Sequence, residues 1–157
     1  MTVYDLPAVQ KIADTVHPGF YESPDILAER QRLYRNGCYL LEVGERPAGY
    51  VLSHPWRDTL PALNTPLEAL PAEPTTYYLH DLALLPVARR IGAASQIVSA
   101  LTKHAVARGL PTMTLVAVNG SRGFWEKHGF AVRDVPGLAD KLASYDADAR
   151  LMVKELG

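Results

Sequence analysis

The stretch from Thr76 to Val118 constrains the fold of this chain more than any other feature. A β-rich run from Thr76 to about Leu85 is followed by a helical pattern from Gly92 to Arg108 and by a second apolar run from Thr112 to Val118. Two strands joined by a crossover helix in this way form a right-handed parallel pair within one sheet. The chain is therefore predicted to contain a parallel pair of strands.

The segments on either side of this unit predict further helices and strands. Helices are expected at Leu6–His17 and Ser23–Arg35, and the runs Cys38–Val43 and Ala48–His54 predict an antiparallel hairpin. The C-terminal third adds a short helix and two strands, at Ser121–His128, from Ala131, and at Ala149–Glu155. With 157 residues and no internal repeat, the chain is predicted to form one domain, residues 1–157, of mixed α/β (α+β) class.

Charge and cysteine content exclude several classes of function. The 16 basic and 17 acidic residues nearly cancel, so no overall field favours nucleic acid or an anionic membrane surface. Cys38 is the only cysteine, which excludes an intramolecular disulfide and a cysteine-rich metal site. No apolar run approaches the roughly 18 residues of a membrane span. We expect a cytoplasmic protein with no metal, no nucleic-acid partner and no membrane partner.

A proline-rich segment separates the hairpin from the parallel unit. Residues 55–75 hold five of the twelve prolines. A loop of this length inside one domain is usually functional or mobile, so we predict that it lies beside a substrate. A neutral insertion is the alternative.

The turn ARRIGAAS, residues 88–95, has the composition of a phosphate-binding turn. It leads from a strand into a helix, whose first N–H groups lack helical partners and carry partial positive charge. Gly92 and Ala94 are small enough to let phosphate oxygens reach the backbone, while Arg89 and Arg90 add charge. On spacing alone, simple helix capping is the alternative. The turn lacks the GxxxxGK[ST] pattern of a nucleotide P-loop and the GxGxxG pattern of a dinucleotide fold.

The same turn resembles the pyrophosphate loop of the GNAT N-acetyltransferase superfamily, because Arg89, Gly92 and Ala94 match its pattern R-x-x-G-x-A. The preceding DLALLP resembles the family's run into this loop. The stretch NGSRGFWEKHGF resembles the family's second signature, with matches at Asn119, Phe124, Gly129 and Phe130. The resemblance covers most of the chain and is most specific from Thr76 to Phe130. That fold normally has a strand before the first helix, so residues 1–4 are expected to be its remnant unless the native start lies upstream.

The resemblance implies a largely antiparallel GNAT-like sheet in which the two parallel strands splay apart and hold acetyl-CoA between them. By family analogy, backbone groups of residues 82–84 pair with the pantetheine arm, and the amides of residues 89–95 hold the pyrophosphate. Asn119 would line the opposite wall, although without the resemblance it is a strand-end turn residue, and Trp125 would pack against the cofactor or the core. The expected cofactor-binding residues are Leu82, Ala83, Leu84, Arg89, Arg90, Ile91, Gly92, Ala93, Ala94, Ser95, Asn119 and Trp125.

Within the superfamily, the strand YLHDLA is most similar to that of arylalkylamine (serotonin) N-acetyltransferases, whose pattern L-H-x-L-A is matched by Leu79–Ala83. Tyr78 occupies the place of a second histidine in that pattern, and we expect it near the acceptor substrate. Strand alternation predicts that the even-numbered residues 78–84, including His80, share one face and that Asp81 lies on the other.

His80 is the expected general base. A primary alkylammonium ion has a pKa of about 10.4 and must lose a proton before it attacks a thioester. A histidine can accept that proton directly or through water at neutral pH. Asp81 is the rival base. A core histidine and a solvent-facing carboxylate are the structural alternatives for these two residues. The family analogy adds a strand amide around Ala83 or Leu84 that stabilises the oxyanion.

The chain departs from the family pattern where the leaving thiolate is protonated. The family often has a tyrosine after the phenylalanine of its second signature, whereas this chain has Trp125, whose indole N–H is no acid near neutral pH. Either Tyr145 or Tyr78 supplies the proton, or the thiolate, with a pKa of about 8.5, leaves without a dedicated acid.

His54 and Trp56 begin the proline-rich segment beside the expected acceptor cleft. Their aromatic character indicates a small hydrophobic or aromatic primary amine as substrate. The same residues are also suited to packing the loop onto the sheet or to forming a homodimer surface. A peptide amine, a non-catalytic acyl-CoA-binding module and an interaction domain without CoA binding are the alternatives to a small-molecule N-acetyltransferase.

Overall fold

The computed structural model describes the whole chain, Met1–Gly157, as a six-stranded sheet with helices packed on both faces. The helices are α1 (Leu6–Val16), α2 (Pro24–Leu33), α3 (Ala93–Ala107), α4 (Arg122–Lys127) and α5 (Ala139–Ala143). The strands are β1 (Cys38–Val43), β2 (Arg46–Trp56), β3 (Thr76–Leu84), β4 (Thr112–Ala117), β5 (Ala131–Val132) and β6 (Arg150–Glu155).

The elements predicted from the sequence are confirmed, with small shifts at their ends. Helix α2 ends at Leu33 rather than near Arg35, because residues Arg35–Gly37 form a separate 3-10 turn before β1. Helix α5 was not predicted. With only five residues, it is too short for helical periodicity to be read from the sequence.

The sheet has the strand order β1-β2-β3-β4-β6-β5, and only β3 and β4 run parallel. This confirms a mixed, mostly antiparallel sheet with the predicted parallel pair. The two parallel strands pair over three positions only, from Tyr77 with Met113 to Leu79 with Leu115. Beyond Leu79 and Leu115 they have no paired positions, so a gap opens in the middle of the sheet.

Separate cores hold the helices to the two faces of the sheet. Helix α3 packs Val98 and Leu101 against β3 and β4, in a cluster of 13 buried residues. Helices α1 and α2 pack Val9 and Leu27 against the opposite face, beside Tyr50 of β2. Both faces are therefore covered around the point where β3 and β4 separate.

A β-bulge at His80 corrects the predicted alternation along β3. Leu52 of β2 pairs with Asp81 and its neighbour Ser53 pairs with Leu79, so His80 has no partner across the ladder. Leu79 and Leu82 consequently pack against the same core, on the α3 face. The prediction that His80 shares a face with Leu82, opposite Asp81, was wrong: His80 and Asp81 both contact residues on the α1 side.

The proline-rich loop between β2 and β3 is tied to α2 by hydrogen bonds. Glu29 accepts bonds from the backbone N–H groups of Leu67 and Glu68, at 2.7 and 3.1 Å. Buried Arg30 donates to the Thr65 carbonyl at 3.1 Å. These contacts hold the loop against the α1 and α2 side of the sheet.

Candidate active site

A cavity of about 530 Å³ lies where β3 and β4 separate. Its volume falls within the range of small-molecule sites, roughly 300–1,000 Å³. Val16 and Phe20 border it on the α1 side, and Ala94 and Trp125 border it on the α3 side. The cavity therefore extends across the sheet, from the α1 side to the α3 side.

The turn from Arg90 to Ser95 lies beside this cavity and presents six consecutive backbone N–H groups that donate no hydrogen bond. Gln96 is the first residue of the helix to donate one, to the Gly92 carbonyl at 3.0 Å. Arg90 and Gly92 have left-handed backbone, with φ of 63° and 81°. A Cβ added at Gly92 would meet no atom within 4 Å, so no protein atom fills the space beside this glycine. Unpaired amides at a helix N-terminus with open space before them fit a diphosphate.

The predicted cofactor-binding residues fall into three groups in the structure. Those that line the cavity are Leu82, Leu84, Arg89, Arg90, Ala94, Asn119 and Trp125. Ile91, Gly92, Ala93 and Ser95 complete the adjoining turn without lining the cavity itself. Ala83 is 1% exposed, and its side chain packs into the core on the α1 face, so only its backbone can face a ligand.

His80 is paired with a carboxylate that sequence reasoning missed. The His80 side chain is 4% exposed, and its Nε2 lies 2.5 Å from Oε1 of Glu22. Burial acts to raise the pKa of Glu22, but His80, the Asn64 N–H and the Arg30 guanidinium together outweigh burial and lower that pKa. An ionised carboxylate only accepts hydrogen bonds, so Nε2 carries the proton. Nδ1 has no hydrogen-bond partner in the protein and is the nitrogen left to accept a proton.

Asp81 has both carboxylate oxygens engaged. Oδ2 accepts a hydrogen bond from the Tyr50 hydroxyl. Oδ1 lies 2.9 Å from Nε2 of His17, an ion-pair contact that is bent away from hydrogen-bond geometry. Burial acts to lower the pKa of His17, but Asp81, with smaller contributions from the Leu82 backbone and Glu22, outweighs burial and raises that pKa. Burial, with a smaller contribution from Asp81, raises the pKa of Tyr50, which stays protonated. Asp81 is therefore less available as a base than Nδ1 of His80.

The candidate acids Tyr145 and Tyr78 both line the cavity. The Tyr145 hydroxyl donates to the carbonyl of Pro61 in the proline-rich loop. Burial raises the pKa of Tyr145 to about 12 and raises that of Tyr78 well above its ordinary value. Each phenol keeps its proton at neutral pH, and Tyr145 can give it to another group only by leaving the Pro61 carbonyl.

The structure places His54 and Trp56, two of the predicted substrate residues, outside the cavity. His54 is 1% exposed, and its ring lies 5.4 Å from that of Trp56 and 5.6 Å from that of Tyr78, centroid to centroid. Burial lowers the pKa of His54 to about 3, so its ring is neutral. Both residues are in the buried part of β2 and pack the loop onto the sheet. Tyr78, the third predicted substrate residue, does line the cavity.

Trp125 and Asn119 form part of the wall opposite β3. Trp125 is 8% exposed and packs against Phe130 in the α3-side core, with 5.5 Å between the ring centroids. Trp125 also lines the cavity. Asn119 has left-handed backbone, with φ of 55°, and its N–H donates to Asp146 at 3.3 Å. Trp125 therefore serves both the core and the cavity wall.

The residues that sequence reasoning missed lie on the α1 side of the cavity. They are Val16, His17, Phe20, Glu22 and Leu63. Glu22 is 58 positions from His80 in the chain, and no spacing or motif joins the two. Only the packing of the segment between α1 and α2 against β3 brings them together.

No group of three or more histidine, cysteine, aspartate and glutamate side chains lies close enough to hold a metal ion. None of the helices combines the length and apolar character needed to cross a membrane.

A gapped mixed sheet and an amide-rich turn beside the gap define the class of the fold as that of the GNAT acyltransferases. The chain belongs to the acetyltransferase (GNAT) family, whose family model matches residues 4–130. No curated protein matches the chain. The finer likeness to arylalkylamine N-acetyltransferases finds no support in these comparisons.

Solved structures of low sequence identity share the whole fold. GphF, a GNAT-like decarboxylase in complex with isobutyryl-CoA, is 16% identical with a TM-score of 0.83, over 100% of this chain and 97% of that chain. Ard1 from Thermoplasma volcanium is 15% identical with a TM-score of 0.74, over 100% and 95%. Naa50 from Arabidopsis thaliana, in complex with the bisubstrate analogue CoA-Ac-MVNAL, is 14% identical with a TM-score of 0.71, over 98% and 94%. Structural neighbours of this chain are thus crystallised with CoA derivatives.

Proposed function

We propose that the protein transfers the acetyl group of acetyl-CoA to a small primary amine with an apolar body. One observation carries this proposal: a single cavity through the sheet has unpaired backbone amides beside it on the α3 side and the Glu22–His80 pair on the α1 side. The cofactor would enter along the α3 side and the amine along the α1 side.

The residues present fit acetyl-CoA. The amides of residues 90–95 would hold its diphosphate, and the unpaired edge of β3 beyond Leu79 would hold its pantetheine arm. Acetyl-CoA supplies the thioester that the amine attacks. Nδ1 of His80 accepts the proton that the ammonium group must lose. On the opposite side of the ring, Nε2–H donates a hydrogen bond to the Glu22 carboxylate.

The acceptor side of the cavity favours a monoamine. Glu22 and Asp81 are its only acidic lining residues, and every carboxylate oxygen of the two is already engaged. A second ammonium group, as in a polyamine, would find no free carboxylate there. Val16, Phe20 and Leu63 line the same side and would contact an apolar body.

A peptide amine is the second candidate, because the structurally similar Naa50 binds the bisubstrate analogue CoA-Ac-MVNAL. In this chain Tyr145, which lines the cavity, donates to the carbonyl of Pro61 in the proline-rich loop, whose Leu63 also lines the cavity. That connection favours a small acceptor over an extended peptide.

We also propose a cytoplasmic location, because Cys38 is a buried free thiol. Cell fractionation tests this location.

A thiol-release assay with acetyl-CoA tests the proposal across arylalkyl and aliphatic monoamines, a polyamine and a short peptide with a free N-terminus. We expect the hydrophobic monoamines to react fastest. We expect His80→Gln to lower kcat by about 10²- to 10⁴-fold, the usual contribution of a general base. His104→Gln is the matched control, because His104 lies on α3 bonded to Tyr34 and outside the cavity.

Three outcomes would count against parts of this proposal. A preference for the peptide would overturn the substrate class. CoA binding without thiol release for any amine would indicate the non-catalytic acyl-CoA-binding module instead. An unchanged rate and pH profile in His80→Gln would remove His80 as the base.

A further inference from the structure

We propose that Glu22 is a positioning residue that selects the tautomer of His80, and that Asn64 of the proline-rich loop holds Glu22 in the orientation this requires. The kinetic part of this inference rests on the proposed function. The tautomer itself can be measured without any activity.

Glu22 is held on both sides of its carboxylate. It is 7% exposed and lies between α1 and α2. Oε1 lies 2.5 Å from His80 Nε2, and Oε2 accepts the backbone N–H of Asn64 at 3.1 Å. The Asn64 side chain also bonds to the residue after Glu22, because its Oδ1 accepts the N–H of Ser23 at 2.8 Å. The backbone carbonyl of Glu22 also accepts a bond from Gln10 at 3.1 Å. The carboxylate therefore has one supported orientation.

This arrangement decides which nitrogen of His80 is free to react. Both oxygens of Glu22 act as acceptors, so the ring must present N–H from Nε2. The neutral ring then carries its lone pair on Nδ1, the nitrogen with no partner in the protein. If the proton were on Nδ1 instead, the lone pair of Nε2 would face a carboxylate and no proton could be accepted from an amine. In this proposal Glu22 acts through His80.

A glutamine at position 22 cannot accept both of the hydrogen bonds that the Glu22 carboxylate accepts. It keeps the shape of the side chain but has a single acceptor oxygen, whereas the site needs one acceptor toward His80 and one toward Asn64. One of the two contacts must fail, and an amide NH₂ turned toward His80 would favour the wrong tautomer. Glu22→Gln is therefore the informative variant, and it avoids the cavity that an alanine would leave.

Glu29 supplies a matched control. Like Glu22 it is a carboxylate that accepts backbone N–H groups of the proline-rich loop, here from Leu67 and Glu68. It does not contact His80. Glu29→Gln consequently loosens the same loop and weakens the contact that Glu29 makes with buried Arg30 at 2.8 Å, without changing any group bonded to the His80 ring. It therefore reports any effect that is merely structural.

The experiment combines ring ¹⁵N NMR at alkaline pH, with His80 assigned by its loss in His80→Gln, and steady-state kinetics with acetyl-CoA and the best amine. In the wild type we expect hydrogen on Nε2 and a bare Nδ1. In Glu22→Gln we expect the tautomer population to shift and kcat to fall about 10- to 100-fold, by analogy with the carboxylates that orient metal-bound histidines, with the KM for acetyl-CoA unchanged. Glu29→Gln should keep the wild-type tautomer and kcat.

A wild-type tautomer in Glu22→Gln would overturn the inference, and so would an equal loss of kcat in Glu29→Gln. If the wild-type protein transfers no acetyl group to any amine, the proposed function fails, while the ring-nitrogen signals of the two variants still decide whether Glu22 selects the tautomer. The two failures are therefore distinguishable.

Discussion

Replacing Gly92 with alanine tests whether the turn before α3 holds the diphosphate of CoA. Gly92 has φ of 81°, and a Cβ there would project into space that contains no atom within 4 Å. Gly109, just after α3, is a matched position, with φ of 72° and the same open surroundings. Alanine at either site costs about 1–2 kcal/mol of backbone strain. The two variants thus share a destabilisation and differ in their distance from the cavity.

We expect Gly92→Ala to weaken CoA binding by about 10- to 100-fold. A methyl group in front of the turn would push a phosphate away from at least one of the six free amides. A hydrogen bond to a charged group contributes about 1.5–3 kcal/mol. Since each 1.4 kcal/mol is about a tenfold change in Kd, one lost bond accounts for the expected factor. Gly109→Ala should leave the Kd for CoA unchanged.

Titration calorimetry with CoA measures this effect in the wild type and both variants at one ionic strength, because phosphate contacts depend on salt. Urea unfolding establishes that the two variants have lost similar stability. Wild-type affinity in Gly92→Ala would refute the assignment of the turn to the diphosphate. Equal weakening in Gly109→Ala would show that backbone strain, and not the lost contact, is responsible.

Two further predictions concern stability. Gly37→Ala should lower the free energy of unfolding by about 3 kcal/mol or more in urea titrations, because the new Cβ would lie 2.2 Å from the Ser53 carbonyl oxygen. Gly19→Ala is the control and should cost far less, because its Cβ would have no atom within 4 Å. Similar losses in the two variants would contradict the close approach at Gly37. His17→Asn should cost more stability at pH 6 than at pH 8.5, because Asp81 raises the pKa of His17 against the opposing effect of burial. A histidine with a raised pKa stabilises the fold below its unfolded pKa of about 6.5, and this stabilisation is lost as pH rises through its folded pKa. A difference in stability that does not change with pH would argue against the pair.

The turn with unpaired amides before α3, which we propose holds the diphosphate, could be located from sequence because its signals are local. A strand end, a glycine in left-handed backbone and a helix N-terminus follow one another within residues 84–95, and their order alone implies unpaired amides. The acceptor side could not be predicted in the same way. The contact between Glu22 and His80, and the ion pair between His17 and Asp81, each join α1 or the segment after it to β3, across more than 50 residues of chain. No periodicity records which positions such a contact will bring together.

The bulge at His80 shows why the acceptor side also departs from simple alternation. Had β3 paired with β2 without an extra residue, His80 and Asp81 would face opposite sides of the sheet, and only one of them could contact α1 and the segment after it. The unpaired residue turns both side chains toward that face, while Leu82 returns to the α3 face, where it lines the cavity beside Arg90 and Ala94. Whether β3 bulges depends on its register against β2, because the adjacent residues Leu52 and Ser53 of β2 lie opposite the three residues 79–81 of β3. The placement of His80 and Asp81 on the α1 side of the cavity and of Leu82 on the α3 side therefore originates in a pairing between strands, which neither strand's own sequence encodes.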